Sequence, residues 1–117
     1  MNRQRAELRG RQGEDRAALW LQMQGWAVLD RRRKTPAGEI DLVCRDGDCI
    51  VFVEVKWRRD PAALDDAIDQ HRLRRVAAAA EAVAHEYAGD GPADMRIDVV
   101  LLAPDASPRH IANAWQP

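Results

Sequence analysis

From about Gly10 to Gln24 the apolar positions Ala17, Ala18 and Leu21 fall at helical intervals, and Gly25 stands where a helix would stop. Trp26 to Leu29 reads as a short strand, with the basic run Arg31 to Lys34 and "KTPAG" as the loop after it. Two longer strands follow, Ile40 to Arg45 and Cys49 to Trp57, joined by a hairpin turn at "DGD". A long helix is predicted from Ala62 to Tyr87. Its stripe is Ile68, Val76, Ala79, Ala80, Val83 and Tyr87, and Arg72 falls on that same stripe. After the "GDGP" loop come a strand at "RIDVVLLA", a loop from Pro104 to Pro108 and a last short strand at "HIANAW". The order is α-β-β-β-α-β-β, the pattern of an α/β domain.

The strand segments contain charge where a buried strand should be apolar. In "GEIDLVCRDGDCIVFVEVKWRR", Asp41 interrupts Ile-Asp-Leu-Val, and Glu54 and Lys56 interrupt Val-Phe-Val-Glu-Val-Lys-Trp. Side-chain direction alternates along a strand, so parity sorts these residues by face. With Gly47-Asp48 as the turn, paired positions sum to 95 and Asp41 lies opposite Glu54. With Asp46-Gly47 as the turn they sum to 93, and Asp41 lies opposite Phe52. Both registers put Asp41 with Glu54 and Lys56. The other face, with Ile40, Leu42, Cys44, Val51, Val53, Val55 and Trp57, is apolar and predicted to be the main core face. The charged face is apolar near the turn and charged at the far end, where Glu39 also falls.

Two carboxylates within about 5 Å across a strand pair repel. A divalent cation offsets that repulsion, and hard carboxylate oxygens suit Mg²⁺ or Mn²⁺. A cross-strand salt bridge of Glu39 or Glu54 with Lys56 is the competing explanation. Glu14 lies on the buried stripe of the first helix and has two readings as well: a member of the site, or a first-turn acid that complements the helix dipole.

Composition narrows the classes. The 117 residues make one domain, 1–117, with 1–9 expected to be a flexible basic N-terminus. An apolar fraction of 46% beside 32% charged residues indicates a globular fold. No run is long enough to span a membrane, and no apolar signal segment is present, so a cytoplasmic location is expected. Cys44 and Cys49 lie in strand-like sequence without further Cys or His near them, which argues against a disulfide framework or a zinc site. Residues 1–34 hold nine Lys/Arg against four Asp/Glu, a net of +5 within a chain of net charge −1. Such a basic end can meet phosphates or be an ordinary solvated surface. Lysine is scarce: sixteen Arg stand against two Lys, so Lys56 hints at a need for an amine rather than a guanidinium.

An acid in one strand, a turn, then "EVK" in the next resembles the core of the PD-(D/E)XK nuclease superfamily. More closely, "GEDRAALWL", "GEIDLV", "VFVEVKWR", "RIDVV" and "HIANAW" resemble the YraN-like family (UPF0102), which is similar to archaeal Holliday-junction resolvases. The resemblance runs nearly end to end, and "GEIDLV" with "VFVEVK" at this spacing is its specific part. It departs where the family carries a Lys-rich "RKQRR" and this chain has "HRLRR", so that Arg72 stands in for a lysine.

The resemblance implies a restriction-endonuclease-like core, a central mixed five-stranded sheet flanked by helices. It implies metal-dependent, structure-selective hydrolysis of phosphodiester bonds in DNA, with Mg²⁺ or Mn²⁺ as cofactor. Asp41, Glu54 and the backbone carbonyl of Val55 would hold the metal, with Glu14 acting through water or on a second ion. Lys56 would orient the attacking water and stabilise transition-state charge. Arg31, Arg32, Arg33, Arg58 and Arg72 would contact backbone phosphates. Trp57 has core parity, and His71 and His110 read as surface or structural. Cutting symmetric strands of a branched DNA would need a homodimer, though the sequence displays no apolar interface. Two other classes stay open: a nuclease-fold nucleic-acid-binding protein without activity, and a non-enzymatic partner protein whose acids are salt bridges.

Overall fold

The computed structural model describes residues 3–60, 68–89 and 94–115, with side chains from residue 10 onward. Two helices enclose a five-stranded mixed sheet, consistent with the restriction-endonuclease-like fold expected from the sequence. The elements are α1 (Arg3–Met23), β1 (Ala27–Thr35), β2 (Gly38–Asp46), β3 (Cys49–Trp57), α2 (Gln70–Val83), β4 (Asp94–Leu102) and β5 (Arg109–Ile111). The strands lie side by side in chain order; β3 and β4 run parallel and all other neighbours antiparallel. Among the described residues, no helix is long and apolar enough to cross a membrane.

α1 lies close on one face of the sheet because its contact residues are small. A Cβ added to Gly13 would stand 3.4 Å from the Leu102 side chain, and Ala17 and Ala18 are fully buried. Close approach by small residues is what brings the neighbouring Glu14 down to the level of the strands. Gly25, at φ 94°, ends the helix, and the Trp26 N–H turns back to the Leu21 carbonyl. α1 starts at Arg3, seven residues ahead of the expected start.

α2 packs on the opposite face through Leu73, Val76, Ala79, Ala80 and Val83. Asp69 caps it by accepting from the N–H groups of His71 and Arg72, so the helix begins at Gln70 rather than Ala62. Residues 62–67 of the expected helix lie outside the described residues. A short 3₁₀ turn, Ala84–Glu86, finishes the segment before Tyr87.

Several expectations are corrected. The basic run is strand, not loop: Arg31, Arg33 and Lys34 are paired with β2 on the outer edge of the sheet. Charged side chains suit an edge strand, where repeated basic residues discourage further pairing. The last strand is only Arg109–Ile111, because Asn113 takes φ 52° and turns the chain so that the Ala114 N–H meets the Ile97 carbonyl. The apolar face of the hairpin is not the main core. Leu42, Cys44, Val51 and Val53 pack under α1, but the larger cluster lies on the α2 side with Val43, Ile50 and Phe52. Ile40 joins the α2 cluster, not its parity partners Leu42 and Cys44. The alternation slips at Asp41, where the β2–β3 ladder ends and Arg32 of β1 takes φ 50°. The hairpin turn is Gly47-Asp48, with Asp46 opposite Cys49 and pairs summing to 95. Cys44 and Cys49 are free thiols, and burial pushes the Cys44 thiol up to about 12.

A second acid in a strand ties down the far edge. Asp98 is fully buried and accepts from Arg96 Nε at 3.0 Å, the Asn113 N–H at 2.9 Å and His110 Nε2 at 2.6 Å. The His110 ring stands edge-on to Trp20 and Trp26, which gives it the structural role expected for it. Asp98→Ala would strand three donors, so urea unfolding is expected to show a loss of about 3 kcal/mol or more. A loss below about 1 kcal/mol would contradict this role for the network.

Candidate metal centre

The β2–β3 ladder stops at Leu42↔Val53, so the start of β2 and the end of β3 are not paired with each other. The next donor on β3, the Val55 N–H, is taken by Asp41 Oδ2 at 2.8 Å. The Asp41 carboxylate therefore lies in the gap between the two strands instead of on one face beside Glu54. From there it meets groups from both sides of the sheet. Asp41 is 8% exposed.

On the α2 side stands Glu54, 1% exposed. Its Oε1 accepts from Arg72 Nε at 2.6 Å and lies 3.4 Å from Lys56 Nζ. Its Oε2 is buried and has no hydrogen-bond partner among the described residues. An unsatisfied buried carboxylate oxygen costs on the order of 1–3 kcal/mol or more. On the α1 side, Glu14 Oε1 accepts from Arg32 Nε at 2.6 Å, and the Glu14 side chain is 12% exposed. Glu14, Glu39 and Asp41 each offer a carboxylate oxygen, all within 4.8 Å of one another, a spacing that could hold a metal ion.

The fold thus gathers Glu14, Asp41, Glu54 and Lys56, and adds Glu39. From the sequence, Glu39 reads as a salt-bridge partner for Lys56. Its signal was present: it stands two residues before Asp41 and opens the charged end of the strand. The basic residues are a different matter. Arg31 pairs with Asp15 at 2.5 Å, Arg32 with Glu14, and Arg33 with both oxygens of Glu86 at 2.7 Å. Strict alternation would separate Arg31 and Arg32; the left-handed φ of Arg32 lets both reach α1. Arg72 is held on Glu54, and Arg58 Nη1 donates to the Trp57 carbonyl. Trp57 is partly buried against the cluster under α1, as its parity indicates.

Electrostatics single out Asp41. Burial and then the charge of Glu54 push its carboxyl up from 3.8 to about 7, against the pull of the Val55 N–H. Such a group is a proton acceptor near neutrality, and a cation would replace the proton.

A folded-state value above the unfolded one means that this group stabilises the fold most in acid. Its contribution falls as pH rises from about 4 to about 7, then levels off. A tenfold change in proton affinity is worth about 1.4 kcal/mol, so the loss across this window is on the order of a few kcal/mol. Metal-free Asp41→Asn is therefore expected to melt at or above the wild-type temperature at pH 8 and to lose this part of the pH dependence. A clearly lower melting temperature at pH 8 would mean that the Asp41 charge acts as a net stabilising salt-bridge partner.

A family model described as "Uncharacterised protein family UPF0102" matches residues 13–102, a span that includes all five of these residues. The chain is 66% identical to a UPF0102 protein of Erythrobacter litoralis over 117 residues, the full length of both. It is 54% identical to one of Sphingopyxis alaskensis, again over both full lengths. A third, from Rhizorhabdus wittichii, is 52% identical over 98% of each chain.

Proposed function

This chain belongs to the uncharacterised protein family UPF0102, and we propose that it is a metal-dependent endonuclease acting on branched or otherwise structured DNA. One observation carries the reading. Glu54 is buried with one oxygen held by Arg72 and Lys56 and the other without a partner among the described residues. A carboxylate kept for a salt bridge alone would have its second oxygen satisfied or wet.

The donor set fits a hard divalent cation, Mg²⁺ or Mn²⁺. Asp41, Glu54 and the backbone carbonyl of Val55 would hold it, and Glu14 with Glu39 could take a second ion beside Asp41. When bound, such a cation supplies Lewis-acid polarisation of a phosphoryl oxygen and a more acidic water. Lys56 reaches the same carboxylate as Arg72, and there its ammonium can orient a water and stabilise charge on the phosphate in the transition state. Arg31, Arg33 and Arg58 would position backbone phosphates without reading sequence. In this reading Asp41 with Glu54-Val55-Lys56 is a PD-(D/E)XK set, and the chemistry is that of resolvase-like nucleases. A symmetric cut at a four-way branch would take two copies of the chain.

A second reading has its own support. Glu14 and Glu54 are each neutralised by an arginine at 2.6 Å, as expected of a nucleic-acid-binding protein without activity or of a partner protein with structural ion pairs.

Cleavage of branched, flapped and linear DNA with Mg²⁺ or Mn²⁺ separates the readings. Wild type is expected to cut a branched substrate, and Asp41→Ala and Lys56→Ala to lose at least about 100-fold in rate while still binding DNA. Wild type that binds DNA but cuts no substrate with either metal supports the second reading. Wild type that binds no nucleic acid points to a partner protein.

A further inference from the structure

Besides Lys56, two arginines are paired with the site's acids, one from each side of the sheet. Arg32 Nε bonds Glu14, and the charges of Glu39 and Asp41 also act on it. Arg72 Nε bonds Glu54, and the charge of Asp41 acts on it as well. Each arginine therefore serves one half of the carboxylate set, and Asp41 is common to both.

The partners differ in freedom. The Glu14 and Glu54 side chains are 12% and 2% exposed, whereas those of Arg32 and Arg72 are 39% and 46% exposed. The acids lie in the interior, whereas both arginine side chains reach solvent. Arg32 is moreover held at φ 50°, a backbone conformation that is costly for a residue with a side chain.

We infer that Arg32 and Arg72 are the resident counter-ions of this site, displaced when a divalent cation binds and then turned onto the phosphates of a nucleic acid. The inference rests on the metal-site reading above. A guanidinium and a divalent cation on one buried carboxylate repel strongly in a low dielectric. Phosphate offers the departing guanidinium the same bidentate geometry as a carboxylate. The two events are then linked: a nucleic acid that holds the arginines away from the acids favours cation binding, and the cation favours the nucleic acid to the same degree. Arg32 and Arg72 are positioning residues in this scheme, and they stay on their acids until substrate and cation arrive together.

Isothermal titration of Mn²⁺ into the full chain, with no nucleic acid present, reads the exchange. Arg72→Gln and Arg32→Asn are each expected to bind Mn²⁺ about tenfold more tightly than wild type, because a competing charge is gone. Asn tolerates the left-handed backbone at position 32. Arg72→Lys keeps the charge and should stay near the wild-type affinity. Circular-dichroism melting verifies that each variant is folded. If the arginines only hold the acids in place, the neutral variants will bind Mn²⁺ no better than wild type or worse, which overturns the exchange.

The salt dependence of DNA binding in Ca²⁺ and in EDTA reads the second half. Each neutral variant should lower the slope of log affinity against log salt by about one in Ca²⁺ and leave it unchanged in EDTA. Slopes equal to wild type in Ca²⁺ overturn the transfer to phosphate. Tighter Mn²⁺ binding in a protein that binds no DNA supports the exchange and refutes the nuclease reading. Cleavage with unaltered Mn²⁺ affinities refutes the exchange and supports the nuclease.

Discussion

Two buried carboxylates, Asp41 and Glu54, face each other's charge where the β2–β3 ladder stops, and the surrounding structure answers that repulsion. Burial and the neighbouring Glu54 raise the Asp41 carboxyl to about 7. Glu54 draws Arg72 from α2 and Lys56 from its own strand. Asp41 draws the backbone N–H of Val55, a donor that a continuing ladder would have used. The end of the ladder and the acid placement are thus one feature: an Asp41 oxygen takes the N–H that a backbone carbonyl of β2 would otherwise take.

The fold delivers the remaining groups to this gap. Glycine and alanine at the α1 contact bring Glu14 within reach of Asp41 and Glu39. The Asp69 cap fixes the first turn of α2, and with it Arg72. β3 and β4, parallel and central, are buried over most of their length and give the site a rigid floor. Asp98 and its three donors pin β4 to the last strand, so the floor does not depend on the site's own unstable charges.

The sequence made the chemistry legible because strand parity is simple arithmetic. It brought Asp41, Glu54 and Lys56 together, identified the turn as one of two choices, and gave the order of elements. It misplaced the geometry where periodicity broke. Asp41 lies between strands, and the left-handed Arg32 sends two successive arginines to the same helix; neither irregularity has a signature in alternation. The basic run looked like a loop because an edge strand tolerates charge. Glu39 is visible by parity, but in the sequence it reads as a salt-bridge partner. Asp98 carries the same signal as Asp41, an acid inside an apolar strand, yet two of its three donors, His110 and Asn113, come from a short terminal strand and a turn, which local pattern does not reveal.

Central to the account is that the gap between β2 and β3 is a cation site and not a settled set of ion pairs. Anomalous diffraction from crystals grown with Mn²⁺ tests this most directly. The account predicts an anomalous peak within coordination distance, about 2.0–2.4 Å, of an Asp41 oxygen and of Glu54 Oε2, which has no partner among the described residues, with Arg72 moved off Glu54. Crystals with Mn²⁺ in excess, no peak at this position and Arg72 still bonded to Glu54 would contradict it.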